Sequence, residues 1–337
     1  MAEELPRLGF VGVGWIGRQR MEAVTRAGAA TVAAVADRDA DAARDAAAAV
    51  GCQTVTGDLD TLLSDGLDLD GVVIATPTAL HAEQARGVLE RGIPVFCQKP
   101  LGRTADECRE LVDLARRADV ALGVDMSYRY AAAVTAALDS LRAGDIGRPH
   151  AAELVFHNAY GPDKPWVRDA ELAGGGALID LGCHLIDLAR LFLGDLEPAA
   201  VHADLFAEGE RLGPDPERVE DLAMAQITLT DGRVVRVACS WWLAAGTDAV
   251  LEASFFGPGR ALTVRNVDGS FYDFEALLLE GRRSERLASP PDEWGGRALV
   301  AWAQRLSRDT SFDGEVEQLV QVAELIDRIY GRAGCGS

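Results

Sequence analysis

Residues 8–17 read LGFVGVGWIG, an apolar run that passes directly into the three glycines of GVGWIG. This spacing is typical of the turn between a buried strand and a helix that binds a dinucleotide. The first glycine permits the tight bend, the second lets the backbone approach a pyrophosphate, and the third allows close helix–strand packing. The helix dipole and the N–H groups of the first turn favour an anion there. The residues expected to line this turn are Gly12, Gly14, Trp15, Ile16 and Gly17.

The dinucleotide-binding fingerprint also includes an acidic residue at the end of the second strand, and this sequence has one there. Asp37 ends the apolar run 31–37, twenty residues beyond Gly17. A carboxylate at this place hydrogen-bonds the adenosine ribose hydroxyls and repels a 2′-phosphate. The pattern therefore predicts NAD as the cofactor, with NADP less favoured. Arg38 leaves the alternative open, because a neighbouring arginine can accommodate the phosphate.

The first part of the chain alternates short apolar runs with longer helical patterns, as at 39–51 and 80–92. This alternation is typical of βαβ units and a parallel sheet buried on both faces. We expect an α/β Rossmann-type, doubly wound parallel sheet in a dinucleotide-binding domain over residues 1–125. Its predicted strands are 8–13, 31–37, 71–76, 93–98 and 121–126.

The pattern changes to strand-rich segments after about Asp125, so residues 126–337 are predicted to form an α+β domain with a large, mostly antiparallel sheet. Asp231-Gly232 separates two apolar runs, as a hairpin turn would. A helical pattern at 315–331 closes the chain and is a candidate to pack back on the first domain. The predicted strand segments are 151–160, 199–206, 222–242 and 250–266.

The charge and the cysteine spacing of the chain bear on its binding partners, on metal binding and on its cellular location. The formal net charge of -20 disfavours binding to nucleic acid or to an anionic membrane surface. None of the six cysteines falls at zinc-site spacing, and no stretch has the pattern of a secretory signal or a membrane span. We therefore expect no metal site and a reducing, cytoplasmic location.

Three further motifs follow in order: ATPT at 75–78 with His81 downstream, QKP at 98–100, and GGGALIDLGCHLID at 174–187. Together with the glycine turn, they resemble the Gfo/Idh/MocA family of NAD(P)-dependent sugar and cyclitol oxidoreductases, over about Leu8 to Tyr330. The resemblance implies cofactor contacts at Ala75, Thr76, Pro77, His81, Gln98 and Lys99.

The resemblance also implies three catalytic residues, Lys99, Asp180 and His184. Histidine suits the transfer of a hydroxyl proton near neutral pH, and residues at i and i+4 share one face of a helix. Taken singly, these residues could instead be a solvated lysine, a helix cap and a core histidine. Gln98 stands where the family usually has Glu, so a carboxylate expected beside the nicotinamide is missing. Thr78 likewise replaces a common Asn.

Polar and aromatic residues suited to a hydroxyl-rich substrate lie at the start of the second domain and in one strand-and-loop segment. With the catalytic residues, the predicted substrate contacts are Lys99, Tyr128, Arg129, Asn158, Tyr160, Trp166, Asp180 and His184. For the loop residues, an ordinary strand edge is the alternative. Trp241 and Trp242 are expected in a core or a subunit interface.

These features favour an NAD-dependent oxidoreductase that moves hydride between nicotinamide and a secondary alcohol or ketone carbon of a cyclitol, sugar or sugar derivative. Two alternatives remain: an NAD-assisted glycoside hydrolase or eliminase, and a non-catalytic protein that senses dinucleotides. We also expect a homo-oligomer, a dimer or tetramer, formed through the C-terminal sheet, because an antiparallel sheet with one bare face needs a cover.

Overall fold

The computed structural model describes residues 4–332 except Asp65 and Asp215. Cys335 lies outside the described residues. The chain forms two compact units, the first comprising Met1–Ser127 with Gly295–Val320 and the second Tyr128–Trp294 with Gln321–Ser337. Among the described residues, no helix combines the length and apolar character that a membrane crossing requires.

A six-stranded parallel sheet forms the centre of the first unit. Its strands are β1 Arg7–Val11, β2 Thr31–Ala36, β3 Val55–Thr56, β4 Gly71–Ile74, β5 Val95–Cys97 and β6 Leu122–Val124. The order β3-β2-β1-β4-β5-β6 is that of a doubly wound dinucleotide-binding fold, which confirms the predicted class. The first strand ends at Val11 rather than at residue 13, because Gly12 turns the chain with φ +84°.

Five helices connect these strands. They are α1 Trp15–Arg26, α2 Ala40–Ala49, α3 Leu59–Ser64, α4 Thr78–Leu89 and α5 Ala105–Ala118. Side-chain caps define two of the starts: the Asp39 carboxylate accepts from the first turn of α2, and the Thr104 hydroxyl accepts from the Glu107 N–H of α5. By contrast, no side chain caps the start of α1.

The second unit contains a nine-stranded sheet in the order β15-β14-β13-β12-β7-β11-β10-β8-β9. Its strands are β7 Ala151–Asn158, β8 Pro198–Ala207, β9 Glu210–Arg211, β10 Leu222–Leu229, β11 Val234–Ser240, β12 Ala249–Phe256, β13 Arg260–Asn266, β14 Phe274–Glu280 and β15 Arg283–Ala288. Only the β7–β11 pair is parallel, so the sheet is mostly antiparallel, as expected. Gly232, with φ +85°, turns the chain between β10 and β11.

Helices cover one face of this sheet. They are α6 Ala132–Ala143 and α8 Cys183–Leu193, whereas the short helix α7 Ala170–Ala173 contacts the 3-10 turn Pro165–Arg168. Helix α8 packs on β7, β11 and β12, and α6 packs on β13, β14 and β15. On the opposite face, alternate residues of β10 such as Met224 and Gln226 are exposed. One face therefore holds the core, as the alternation of apolar and polar residues requires.

Two helices near the end of the chain are α9 Arg297–Leu306 and α10 Gln318–Tyr330. Helix α9, which the sequence analysis did not identify, belongs to the first unit. Its Trp302 ring packs on the parallel sheet where a Cβ at Gly71 or Gly123 would lie within 2.7 Å of the ring. Helix α10 is the predicted final helix, and from Gln321 onward it groups with the second unit, whose core includes Leu325 and Ile329.

Candidate active site

The sequence motifs of the first unit gather at one edge of its sheet. Gly12 follows β1, Asp37 follows β2, Thr76 follows β4 and Gln98 follows β5. Asp125, which the sequence analysis did not select, follows β6 at the same edge. Ligands of open parallel sheets bind outside the carboxyl ends of the strands. This edge is therefore the candidate cofactor site of the first unit.

The geometry of the glycine turn fits a bound pyrophosphate. A Cβ at Gly12 would lie 2.6 Å from the Ala75 carbonyl oxygen, and one at Gly17 would lie 2.2 Å from the Gly12 carbonyl oxygen. Both positions therefore require glycine. A Cβ at Gly14 would meet no atom within 4 Å. Since the start of α1 also has no side-chain cap, its N–H groups are open to an anion.

Asp37 is tied to the glycine turn. Its carboxylate accepts hydrogen bonds from the Val13 N–H at 2.8 Å and the Asp39 N–H at 2.9 Å. A carboxylate can accept about four hydrogen bonds, so it retains acceptor capacity for ribose hydroxyls. Arg38 is exposed. Trp15 is 69% exposed at the start of α1, and Ile16 beside it is partly buried.

His81 connects the loops that follow β4 and β5. Its Nε2 lies 2.8 Å from the Thr76 carbonyl oxygen, and its Nδ1 lies 2.7 Å from the Pro100 carbonyl oxygen. Burial lowers the pKa of His81 by more than the two carbonyl groups raise it, so the ring is neutral near pH 7. A neutral ring carries one N–H, which donates to one of the two oxygens. Its predicted direct contact with the cofactor stays a prediction.

The remaining predicted cofactor residues lie beside these loops. Ala75 continues from β4 and donates its N–H to the Val11 carbonyl, and Pro77 is exposed at the start of α4. Gln98 is buried and donates its side-chain amide to Asp125. Lys99 follows and is partly buried.

The predicted helix of the second unit begins with a wider turn than expected. Residues Leu178–Gly182 form a π-helical segment that passes into α8, so Asp180 lies in the π segment and His184 in the α-helix. The glycines before it allow close packing, since a Cβ at Gly176 would lie 1.9 Å from the Glu220 carbonyl oxygen. π-Helical turns are frequent at functional sites.

Glu220, which the sequence analysis missed, anchors the start of this segment. Its buried carboxylate accepts from the N–H groups of Gly176 at 3.0 Å and Leu178 at 2.8 Å, and from the Tyr330 hydroxyl at 2.9 Å. Burial raises the pKa of Glu220, and the hydrogen bonds oppose that shift. The carboxylate thereby satisfies backbone donors at the helix start that would otherwise lack acceptors.

Aromatic side chains orient both predicted catalytic groups of the second unit. The Trp241 indole N–H donates to the Asp180 carboxylate at 3.1 Å. The Tyr128 ring meets the His184 ring edge-on, with centroids 4.7 Å apart. Trp241 is buried, as expected, but its polar edge faces Asp180. Trp242 is 45% exposed, with the Arg168 guanidinium over its ring.

The other predicted substrate contacts differ in their burial and in their polar partners. Arg129 forms a two-point ion pair with the buried carboxylate of Asp187. Asn158 Oδ1 is buried and accepts no hydrogen bond from the described residues, and such a group requires a donor from a ligand or solvent. Tyr160 is 52% exposed, and Trp166 is partly buried in a short 3-10 turn.

Two family models match this chain. Residues 6–126 match the family model described as "Oxidoreductase family, NAD-binding Rossmann fold", and residues 134–259 match the GFO/IDH/MocA C-terminal domain. The rhizopine catabolism protein MocA of Rhizobium meliloti is 31% identical over 90% of this chain and 96% of its own. The 1,5-anhydro-D-fructose reductase of Ensifer adhaerens is 33% identical over 68% of each chain.

Solved structures share the fold over nearly the whole chain. GenD2 from gentamicin A biosynthesis, solved with NAD, superposes with a TM-score of 0.80 at 26% identity, over 98% of this chain and 94% of its own. Levoglucosan dehydrogenase, solved with NADH and levoglucosan, superposes with a TM-score of 0.82 at 23% identity, covering 97% and 96% of the two chains. The chain therefore belongs to the Gfo/Idh/MocA family of oxidoreductases, with an NAD-binding Rossmann fold in its first unit.

Proposed function

We propose that this oxidoreductase moves hydride between NAD and a secondary alcohol or ketone carbon of a cyclitol, sugar or sugar derivative. The observation that carries the proposal is the Asp180–His184 pair, a carboxylate and an imidazole one turn apart, each held by an aromatic neighbour. The names of relatives support the substrate class, since they include a 1,5-anhydro-D-fructose reductase and D-apiose dehydrogenases.

The proposed roles follow from the chemistry of each group. NAD, when bound, would supply the acceptor for the hydride that leaves the carbinol carbon in the oxidative direction. His184 takes the hydroxyl proton, and Asp180 hydrogen-bonds the imidazole or a second substrate hydroxyl. Lys99 is the cationic donor that stabilises the developing alkoxide. In reduction the same groups act in reverse, so the proton returns from His184 to the oxygen.

Several polar and aromatic side chains of the second unit suit substrate binding. The buried Asn158 Oδ1 is an acceptor ready for a hydroxyl donor, and the exposed Tyr160 ring offers an apolar surface. Tyr128, Arg129 and Trp166 complete the proposed set. Arg129, through its ion pair with Asp187, would chiefly fix the start of the second unit. We further propose that the protein works in the cytoplasm as a homo-oligomer.

A substrate screen tests the proposed activity. Cyclitols, aldoses, ketoses and anhydro sugars would be supplied with NAD, or their keto forms with NADH, and NADH absorbance followed. A dehydrogenase consumes external cofactor in proportion to product. Product formation with no net change in NADH would instead indicate the hydrolase or eliminase. Binding of NAD with no product from any compound would indicate a dinucleotide sensor.

A further inference from the structure

A buried polar cluster includes Gln98, the residue before Lys99. The Asp125 carboxylate, whose side chain has 0% exposure, pairs with the Arg20 guanidinium at 2.6 Å. Arg20 also donates to the Ser127 hydroxyl at 2.9 Å, and Ser127 in turn donates to Asp125. The fourth member is Gln98, whose amide nitrogen donates to Asp125. We call Arg20, Gln98, Asp125 and Ser127 the Asp125 cluster.

The charges of the Asp125 cluster balance. It contains one cation, Arg20, and one anion, Asp125, while Gln98 and Ser127 are neutral. A buried ion is stable only when it is paired and hydrogen-bonded. A carboxylate at position 98 would place a second anion against Asp125 with no second cation in the cluster. The presence of Asp125 therefore accounts for a neutral amide, rather than an acid, before Lys99.

The Asp125 cluster also fixes the orientation of the Gln98 amide. An ionised carboxylate only accepts hydrogen bonds, so the edge of Gln98 that faces Asp125 must be the NH2 group. The carbonyl oxygen Oε1 is then the other end of the amide and acts as an acceptor. Gln98 thus presents an uncharged acceptor oxygen. The negative charge lies on Asp125, on the other side of the Gln98 amide.

The order of the strands in the parallel sheet indicates which half of the cofactor the Gln98 oxygen would face. The pyrophosphate belongs at the glycine turn after β1, and Asp37 after β2 is the ribose acid of the adenosine half. Strands β4 and β5 lie on the other side of β1 from β2. The nicotinamide half would therefore extend towards the loop after β5, which begins with Gln98 and Lys99.

We propose that Asp125 is a positioning residue that holds the Gln98 amide with its oxygen towards the nicotinamide half of NAD, so that a neutral acceptor replaces a carboxylate there. The inference rests on the proposed NAD-dependent function. It has a consequence for redox state, because the nicotinamide ring is cationic in NAD+ and neutral in NADH. A neutral residue at 98 gives less preference to the oxidised form than a carboxylate would.

Exchanging the two side chains tests this inference. Gln98→Glu/Asp125→Asn keeps one anion and one cation in the Asp125 cluster but moves the negative charge to position 98. We expect the ratio of NAD+ affinity to NADH affinity, measured by calorimetry without substrate, to rise about fivefold, as expected for one charge acting through water over a few ångströms. Gln304→Glu makes the same change at an exposed position of α9 and should leave the ratio unchanged.

Single variants at Gln98 test the inference even if the double variant does not fold. Gln98→Glu alone should lower the melting temperature, since it adds an uncompensated buried anion, and Asp125→Asn should restore part of the loss. Gln98→Met keeps the side-chain length without an acceptor and should weaken NAD binding about fivefold. Unchanged NAD affinity in Gln98→Met, or an unchanged affinity ratio in a folded double variant, would overturn the inference. Failure of the wild-type protein to turn over any substrate would count against the proposed function only.

Discussion

The indole N–H of Trp241 donates to the Asp180 carboxylate at 3.1 Å, linking the end of β11 to the π-helical segment before α8. Trp241→Phe removes this donor and keeps a buried aromatic ring. If Asp180 orients the imidazole or the substrate, turnover should fall about fivefold to tenfold, the equivalent of roughly 1–1.4 kcal/mol for one hydrogen bond. Trp242→Phe is the matched control. Equal turnover in both variants would show that the Trp241 hydrogen bond to Asp180 does not contribute to the reaction.

Lys99 and His184 should matter for chemistry more than for cofactor binding. Lys99→Ala and His184→Asn should each lower turnover about 100-fold or more, the usual scale of acid–base catalysis. NAD affinity, measured by tryptophan fluorescence, should change much less. His202→Asn, on an exposed position of β8, controls for the substitution itself. A folded His184→Asn protein with near-wild-type turnover would shift proton transfer to Lys99 or Tyr160.

The second and third glycines of the motif, Gly14 and Gly17, should respond differently to the same added methyl group. Gly14→Ala meets no protein atom within 4 Å, so the melting temperature should stay near that of the wild type. Its methyl would occupy the space of the pyrophosphate, so NAD affinity should fall at least about tenfold, or 1.4 kcal/mol.

Gly17→Ala should instead destabilise the protein by about 1–3 kcal/mol, because its Cβ would lie 2.2 Å from the Gly12 carbonyl oxygen. Gly57→Ala, also in open space, is the control for both variants. Gly14→Ala protein with wild-type NAD affinity would contradict the assignment of this turn.

Asp37 should determine the choice between NAD and NADP. Its carboxylate is fixed by two backbone N–H groups and would face a 2′-phosphate with like charge. We expect NAD to bind at least about tenfold more tightly than NADP, and Asp37→Ser to reduce this preference. Fluorescence titration with both cofactors measures it. If the wild type binds NAD and NADP equally well, and Arg38→Ala binds NADP more weakly than NAD, then Arg38 sets the choice of cofactor.

Glu220 should make stability depend on pH. Burial raises its pKa above 4.5, so the folded state holds this proton more tightly than the unfolded state. Its contribution to stability is therefore complete at low pH and declines as the pH rises through the raised value. The melting temperature of the wild type should therefore fall relative to that of Glu220→Gln, which cannot ionise, as the pH is raised from 4.5 towards neutrality.

Tyr330→Phe is the control for Glu220→Gln, because it removes one hydrogen bond to the carboxylate but keeps the titrating group. The pH dependence should persist in this variant. A Glu220→Gln protein whose stability follows the wild-type pH profile throughout would show that another group is responsible.

The cofactor half of the protein was predictable because its signals are local. The turn at Gly12 depends on the φ that one residue must adopt, and Asp37 lies at a fixed distance along a single βαβ unit. The order of apolar runs and helices likewise determined the parallel sheet, because right-handed βαβ units assemble in few ways. Helix α9 was missed because its place depends on Trp302 packing on Gly71 and Gly123, a contact between distant segments.

The sequence alone thus determined the fold class, the glycine turn, Asp37 and the motif residues Lys99, Asp180 and His184 as candidates. Only the tertiary structure paired Arg20 with Asp125, 105 residues away, and Trp241 with Asp180, 61 residues away. Strand register and helix packing decide such contacts, and no spacing along the chain encodes them. The neutral Gln98 illustrates the difference: in the sequence it is a departure from the family pattern, whereas in the folded protein the buried carboxylate of Asp125 explains it.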